Sequence, residues 1–539
     1  MADNTSKSLY QALWNSADIM RSKMFANDYK SYLLGLTFYK YLSDKLLIHA
    51  AALLEENTTN LEVAQKVYAE AYEDEDVKAD LLNELQYDFS YTLKPNLTFT
   101  ALVQDIHKGK FQLENLAQAF RNIEQSSEIF ENLFEDIDLY SKKLGATPQK
   151  QNQMIADVMK ELSTLELAGH NGDVLGDAYE YLIGQFASDS GQKAGEFYTP
   201  QPVSTLMTKI ILHGKENQKG FSVYDPTMGS GSLLLNVKKF SNEPGTISYY
   251  GQELNTSTYN LARMNMILHG VDTANQHLNN ADTLDQDWPT DEPTNFDGVL
   301  MNPPYSAKWS ADKGFLDDPR FSPYGVLAPK SKADLAFLLH GYYHLKDSGV
   351  MAIVLPHGVL FRGNSEGKIR KILLDSGAID TVIGLPANIF FNTTIPTTVI
   401  ILKKNRLKKD ILFIDASKGF EKGKNQNILK DEHIERILET YMNRPTEDIE
   451  KYSHLATFDE IVENEYNLNI SRYVDTFEEE EEIALDKLSE EMQQTQEKLS
   501  QYEQNLFTML NELRGTNEKS NNELEKFIQQ IGFGGGNNE

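Results

Sequence analysis

The sequence predicts an α/β protein: a doubly wound domain on a parallel sheet, preceded by an all-helical domain and followed by a helical region of coiled-coil type. Three observations carry this. Between residues 221 and 402, short apolar runs that end in polar loops alternate with helical segments, the pattern of successive βα units. Residues 1–165 place apolar side chains at helical spacing. Residues 485–513 repeat apolar positions at alternating steps of three and four, a heptad seam. The expected boundaries are 1–165 for the helical domain, 166–474 for the α/β domain, 475–531 for the C-terminal helices and 532–539 for a disordered tail.

Composition narrows the function classes. A chain of 539 residues has room for two or three domains. No run is long and apolar enough to span a bilayer, and the first residues lack the basic and apolar regions of a signal peptide. There are no cysteines. Disulfides, Cys-ligated zinc and thiol nucleophiles are excluded, and a cytoplasmic location is expected. The net charge is −29. A protein that gripped DNA alone would normally present a basic surface, so a DNA substrate would require a local basic patch or a partner.

In chain order, Leu9, Leu13, Ala17, Met20 and Met24 fall at helical spacing, and Asp28 to Leu47 is a second helix dense in Leu, Phe and Tyr. Neither holds a catalytic constellation, and packing or partner contact is the expected role. Residues 175–183 (Leu-Gly-Asp-Ala-Tyr-Glu-Tyr-Leu-Ile) read as an amphipathic helix. A Gly-containing loop then delivers Glu196-Phe197-Tyr198-Thr199-Pro200, and Gln201-Pro202 open a helix, whose free N–H groups favour a carboxylate.

Four successive strand ends follow. The run to Asp225 leads into Pro-Thr-Met-Gly229-Ser230-Gly231-Ser232, a strand, glycine turn and helix that let a ligand approach the backbone. The turn is neither the dinucleotide fingerprint nor a phosphate loop. The second strand ends in Glu253, where doubly wound folds grip ribose hydroxyls. The third leads to Asp282, an acceptor for an adenine amino group. The fourth, ending at Met301, delivers Asn302-Pro303-Pro304-Tyr305. The Asn302 side-chain carbonyl and the Pro303 backbone carbonyl can each accept an N–H from a planar amine, favouring a pyramidal nitrogen whose lone pair points at an incoming methyl. The prolines stiffen the loop, and Tyr305 offers a face to a flipped-out base. Singly, each motif has an ordinary structural explanation; the ordered conjunction carries the reading.

Past this point, residues 306–334 form a long loop in which Trp309, Phe315, Phe321 and Tyr324 are interleaved with Lys308, Lys313, Arg320, Lys330 and Lys332, a mixture suited to nucleic acid. Further strands are expected at 349–356, 381–385 and 397–402, with the Pro386 to Pro396 loop on the same rim. Glu366-Gly-Lys368 resembles half of a nuclease metal site, but without a paired upstream Asp it reads as chance. Leu485, Leu488, Met492, Thr495, Leu499, Tyr502, Leu506, Met509 and Leu513 make the heptad seam, which seeks a partner helix or folds back on the N-terminal domain.

With these residues in hand, the chain resembles the modification (M) subunits of type I restriction–modification systems. These are adenine-N6 DNA methyltransferases in which the S-adenosylmethionine motif precedes the Asn-Pro-Pro-aromatic motif, the gamma order. The resemblance implies a Rossmann-like methyltransferase domain. It implies S-adenosylmethionine contacts from Glu196 to Gln201, from the Asp225 to Ser232 turn through Gly229, Ser230, Gly231 and Ser232, and from Glu253 and Asp282. Asn302 to Tyr305 would hold the target adenine. Ser232 stands where many relatives have a further glycine. The family also accounts for the charge. In it a specificity (S) subunit reads double-stranded DNA, and two M subunits join one S to make the methyltransferase. Two restriction (R) subunits added to that assembly bring cleavage of unmodified DNA. Direct transfer is expected, without metal or covalent intermediate. The competing readings are a protein-glutamine N5 methyltransferase, which uses the same chemistry on an amide, and a non-catalytic assembly protein with a methyltransferase-like core.

Overall fold

The computed structural model describes residues 13–21, 23–165, 172–189, 198–390, 393–424, 426–476 and 485–531. They divide into two compact units, one through Thr476 and one from Phe477 onward.

The first unit opens with a helical layer organised around Ala26–Leu53. Along this helix Leu33, Leu34, Leu36, Phe38, Tyr39, Leu42, Leu46 and Leu47 are all buried, because neighbours cover it on every side rather than along one stripe. Leu61–Glu73, Glu75–Phe89, Phe99–His107, Leu113–Glu124 and Pro148–Leu162 pack around it. The second expected helix therefore runs somewhat longer than its apolar core. The polar stretch after Leu53 is interrupted until Asn60, whose side chain accepts from Glu62 and Val63 N–H and restarts the helix.

The α/β layer holds a nine-stranded sheet. Its strands are β1 (Ser222–Asp225), β2 (Ser248–Glu253), β3 (Gln276–Asn280), β4 (Phe296–Met301), β5 (Leu345–Pro356), β6 (Ile379–Gly384), β7 (Thr397–Lys403), β8 (Ile411–Asp415) and, after the small ribbon β9–β10 (Glu421–Lys422 and Asn427–Ile428), β11 (Ser453–Ala456). Their order is β11-β8-β6-β7-β5-β4-β1-β2-β3. The parallel block β3-β2-β1-β4-β5 agrees with expectation. The wholly parallel sheet does not. β7 runs antiparallel to β5 and β6, and β11 antiparallel to β8. Among the described residues, the link from β6 to β7 has no helix to carry the chain back across the sheet, so the strand returns in the opposite sense.

Alternate residues face opposite layers. Val350, Ala352 and Val354 of β5 join a core with Val203, Ile210, Leu234, Val237 and Ile437. Met351, Ile353 and Leu355 join another with Leu335, Leu338, Ile369 and Leu373. Burial on both faces explains why these strands are nearly continuous apolar runs. Helix Thr256–Leu268 fastens the sheet to the helical layer. Its Leu261, Met264 and Leu268 belong to the N-terminal core, and Ala262 and Met266 to the sheet. Arg263 caps the junction by donating to the carbonyls of Glu131 at 2.9 Å and Ile129 at 2.6 Å.

The second unit contains helices Leu485–Glu512 and Glu518–Ile531. The five glutamates at 478–482 and the expected tail at 532–539 lie outside the described residues.

Candidate active site

The four predicted strand ends meet on the carboxyl edge of the parallel block, where β1 and β4 diverge to β2 and β5, the crevice in which such sheets take ligands. Asp225 is buried at the end of β1. Its carboxylate accepts from the Thr227 N–H at 2.9 Å and hydroxyl at 3.1 Å, which folds the turn back on itself. Burial pushes this carboxyl up to about 7, against the pull of the Thr227 bonds. Gly231 adopts φ 78° immediately before helix Ser232–Phe240, a conformation that favours glycine. Beneath the turn Met228 crosses Gly251 of β2 so closely that a Cβ there would lie 2.3 Å from its sulfur.

Glu253 is joined to the same turn. One carboxylate oxygen accepts from the Gly229 N–H at 3.1 Å and the other from the Asn255 N–H at 2.8 Å, so its oxygens are oriented before any ligand arrives. Asp282 accepts from the Leu284 N–H at 2.9 Å, and the neighbouring Thr283 hydroxyl donates to the Pro226 carbonyl. These groups line a cavity of about 610 Å³ with Asn302, Pro304, Leu254, Phe337, Lys308 and Trp309, within the size range of small-molecule sites.

Asn302 is buried. Its amide donates to the Thr199 hydroxyl at 3.0 Å, and its carbonyl oxygen accepts from the Tyr305 hydroxyl at 2.9 Å. The first bond fixes the orientation of the side chain and leaves the oxygen as the acceptor end. Tyr305 is half-buried and meets Phe390 edge-on, with ring centroids 5.9 Å apart. The loop beyond is anchored where Ser306 N–H donates to Asp334, which Arg362 holds from the other side at 3.1 Å.

The structure thus gathers Glu253, Asp282, Asn302 and Pro304 around one space. A narrow cleft that shares Thr227 and Asn302 with this cavity adds Tyr198, Thr199, Asp225, Gly229, Ser230 and Ser232. Pro200, Gln201, Gly231, Pro303 and Tyr305 line neither space. Glu196 and Phe197 lie outside the described residues. Leu254, Phe337 and Phe390 escaped the sequence reading. Leu254 carries the clearest signal in retrospect, an apolar residue directly after the acidic strand end that stays largely exposed over the cavity.

Two sequence expectations change. The aromatics of residues 306–334 are not a free stacking surface: Trp309, Phe315 and Phe321 pack on one another with centroids 5.4 to 5.9 Å apart. Arg320 is fully buried, bonded to Asp318 and to the carbonyls of Thr283 and Leu284. A long loop must bury something to hold a fixed shape, and these side chains are its core. Lys308, Lys313 and Lys330 remain exposed. Glu366, half of the apparent nuclease motif, is buried against Arg362 at 3.3 Å and has a structural role.

Comparison with known proteins agrees with this geometry. The N-6 DNA Methylase family model matches residues 170–482, and the HsdM N-terminal domain model matches residues 9–162. The type I restriction enzyme MpnII methylase subunit of Mycoplasma pneumoniae is 37% identical over 88% of this chain and 91% of its own length. The MjaVII methylase subunit of Methanocaldococcus jannaschii is 31% identical over 92% and 82%. The crystal structure of a type I restriction–modification methyltransferase subunit from Streptococcus thermophilus is 73% identical, covers 88% of this chain and all of its own, and superposes with a TM-score of 0.86. The chain belongs to the N-6 DNA methylase family, as an adenine-specific methylase subunit of the type I restriction enzymes.

Proposed function

We propose that the carboxyl edge of the sheet binds S-adenosylmethionine and a flipped-out adenine together, and that Asn302 to Tyr305 direct the adenine N6 at the methyl. The observation that carries this is the shared rim: an oriented amide acceptor, Asn302, opens onto the same cavity as Glu253 and Asp282. The residues suit the cofactor. Glu253 can accept ribose hydroxyls, Asp282 an exocyclic amine, and Leu254, Pro304 and Phe337 offer apolar surface for a purine ring. When bound, S-adenosylmethionine supplies an electrophilic methyl on a sulfonium.

The chain's own work is positional. Asn302 Oδ1 and the Pro303 carbonyl accept from the substrate amine, which withdraws its lone pair from the ring. The amide cannot rotate away because Thr199 holds its nitrogen. The Tyr305 hydroxyl shares the acceptor oxygen, so substrate entry exchanges or shares that bond. These acceptors are strongest where developing positive charge on nitrogen meets a buried, pre-oriented carbonyl.

DNA reading is assigned to an S subunit, joined by this chain and a second copy of it in the methyltransferase, with R subunits completing the restriction complex. The supporting observations are the charge of −29 and the exposed apolar stripe of the C-terminal helices: Leu488, Leu499, Leu506 and Met509 are all exposed along one helix. The test is methyl transfer from labelled S-adenosylmethionine to unmodified DNA, with this chain alone and with its S subunit. Transfer only in the presence of S is the expected result. Transfer by the chain alone would contradict the division of labour.

A further inference from the structure

Glu180 belongs to none of the strand-end motifs, yet it meets two segments that build the methyl-donor site. It is buried in helix Gly172–Asp189. Its Oε2 accepts from the Gln201 amide at 2.7 Å, at the first residue of the helix after Thr199. Its Oε1 is buried without a hydrogen-bond partner, beside the Ser232 hydroxyl of the glycine turn and the Asn265 side chain. Asn265 donates one Nδ2 hydrogen to the Ser230 carbonyl at 3.1 Å, and its Oδ1 is a buried, unbonded acceptor. His269 adds another. Its Nδ1 faces the Asn265 backbone carbonyl at 3.1 Å and must carry the hydrogen, which leaves Nε2 as a buried lone pair. Glu180 and His269 offer atoms within 4.8 Å of each other. A proton on the Glu180 carboxyl would supply a donor to these buried, unbonded acceptors.

We propose that Glu180 is a positioning residue for the methyl-donor site: it accepts from Gln201 with one oxygen and donates a proton from the other toward Asn265 and His269, tying helix 201–212 to the glycine turn. This rests on the reading of the rim as an S-adenosylmethionine site. Burial pushes Glu180 up to about 7 and His269 down to about 4, which favours the proton on the carboxyl. The other ionisable groups around it are Asp177 and Lys239, paired at 2.6 Å, Lys238 on the His269 carbonyl, and the Tyr198 phenol, raised by burial. The Lys239 ammonium on Asp177 also opposes a metal ion among Asp177, Glu180 and His269.

The test is the affinity of the full chain for labelled S-adenosylmethionine by equilibrium dialysis, with melting temperature recorded alongside. Glu180→Gln keeps one acceptor and one donor and should stay within about threefold of wild type, whereas Glu180→Ala should bind at least about tenfold more weakly. Adding Gln201→Ala to Glu180→Ala should cost little more, because the two share one bond. An ionised Glu180 has no proton to give, so wild-type affinity should fall as pH rises through about 7, while Glu180→Gln stays flat. Wild-type affinity in Glu180→Ala would overturn the proposal. So would a Glu180→Gln variant as weak as Glu180→Ala, which would mean that charge is required. If Glu180→Ala does not fold, the pH profile of Glu180→Gln decides alone. Failure of the wild-type chain to bind the cofactor would instead overturn the reading of the rim.

Discussion

The catalytic rim and the C-terminal helices treat their functional side chains in opposite ways. On the rim every key group is committed to a neighbour before a ligand arrives: Asn302 to Thr199 and Tyr305, Glu253 to Gly229 and Asn255, Asp282 to Leu284. On helix Leu485–Glu512 the apolar side chains of the seam are exposed, with Leu485 at 75% and Tyr502 at 70%. Pre-orientation is what chemistry needs, since a loose acceptor must be ordered at the moment of reaction. An unpaired apolar stripe is what assembly needs, since its burial supplies the driving force only when a partner arrives.

The largest effect is expected on the rim. Asn302→Ala removes the acceptor that opens onto the cavity and should lower methylation by about 10³-fold or more. Cofactor affinity should change little, because Glu253, Asp282 and the glycine turn remain. Equal loss of both would place Asn302 in cofactor binding rather than transfer. Next comes the helical surface. Leu499→Asp with Leu506→Asp places two charges in the stripe and should weaken association with the S subunit by about 100-fold. Cofactor affinity and melting temperature should be unaffected, because both leucines are already exposed. A drop in melting temperature of the isolated chain would show that the stripe packs within this chain after all. Glu253→Gln comes third. Its carboxylate accepts two backbone N–H groups, one on each oxygen, and an amide must turn a donor toward one of them. Cofactor affinity measured by dialysis should fall by about 20-fold.

The same contrast explains what the sequence made legible. Each rim motif is short, local and tied to a strand end, so βα periodicity alone places Asp225, Glu253, Asp282 and Asn302 on one edge. The seam of the C-terminal helix is equally local. What escaped depends on long-range packing. Leu254, Phe337 and Phe390 gain meaning only from the elements that face them. β7 reverses because a short rim loop, not a helix, precedes it. Strand β11 has no distinctive pattern and reads Ser-His-Leu-Ala, whereas β8, Ile-Leu-Phe-Ile-Asp, is an apolar run like its neighbours. The aromatics of residues 306–334 misled because composition does not reveal whether a ring points inward. Trp309 and Phe321 are buried, and the basic residues between them retain only part of the character suggested by the sequence.

The smallest effect tests how far pre-orientation extends. The Tyr305 hydroxyl donates to the same Asn302 oxygen that the substrate amine must reach, while its ring rests edge-on to Phe390. Tyr305→Phe keeps the ring and removes the hydroxyl. It frees the acceptor but loosens one of the two bonds that orient the amide, and the two consequences oppose each other. A change of less than about tenfold in kcat is expected, with cofactor affinity unchanged, read by single-turnover methyl transfer with the S subunit present. A loss approaching that of Asn302→Ala would mean that the hydroxyl, and not the ring, is what position 305 contributes. The acceptor would then work only as a Tyr305–Asn302 pair, and the rim would be committed even more fully than its separate hydrogen bonds suggest.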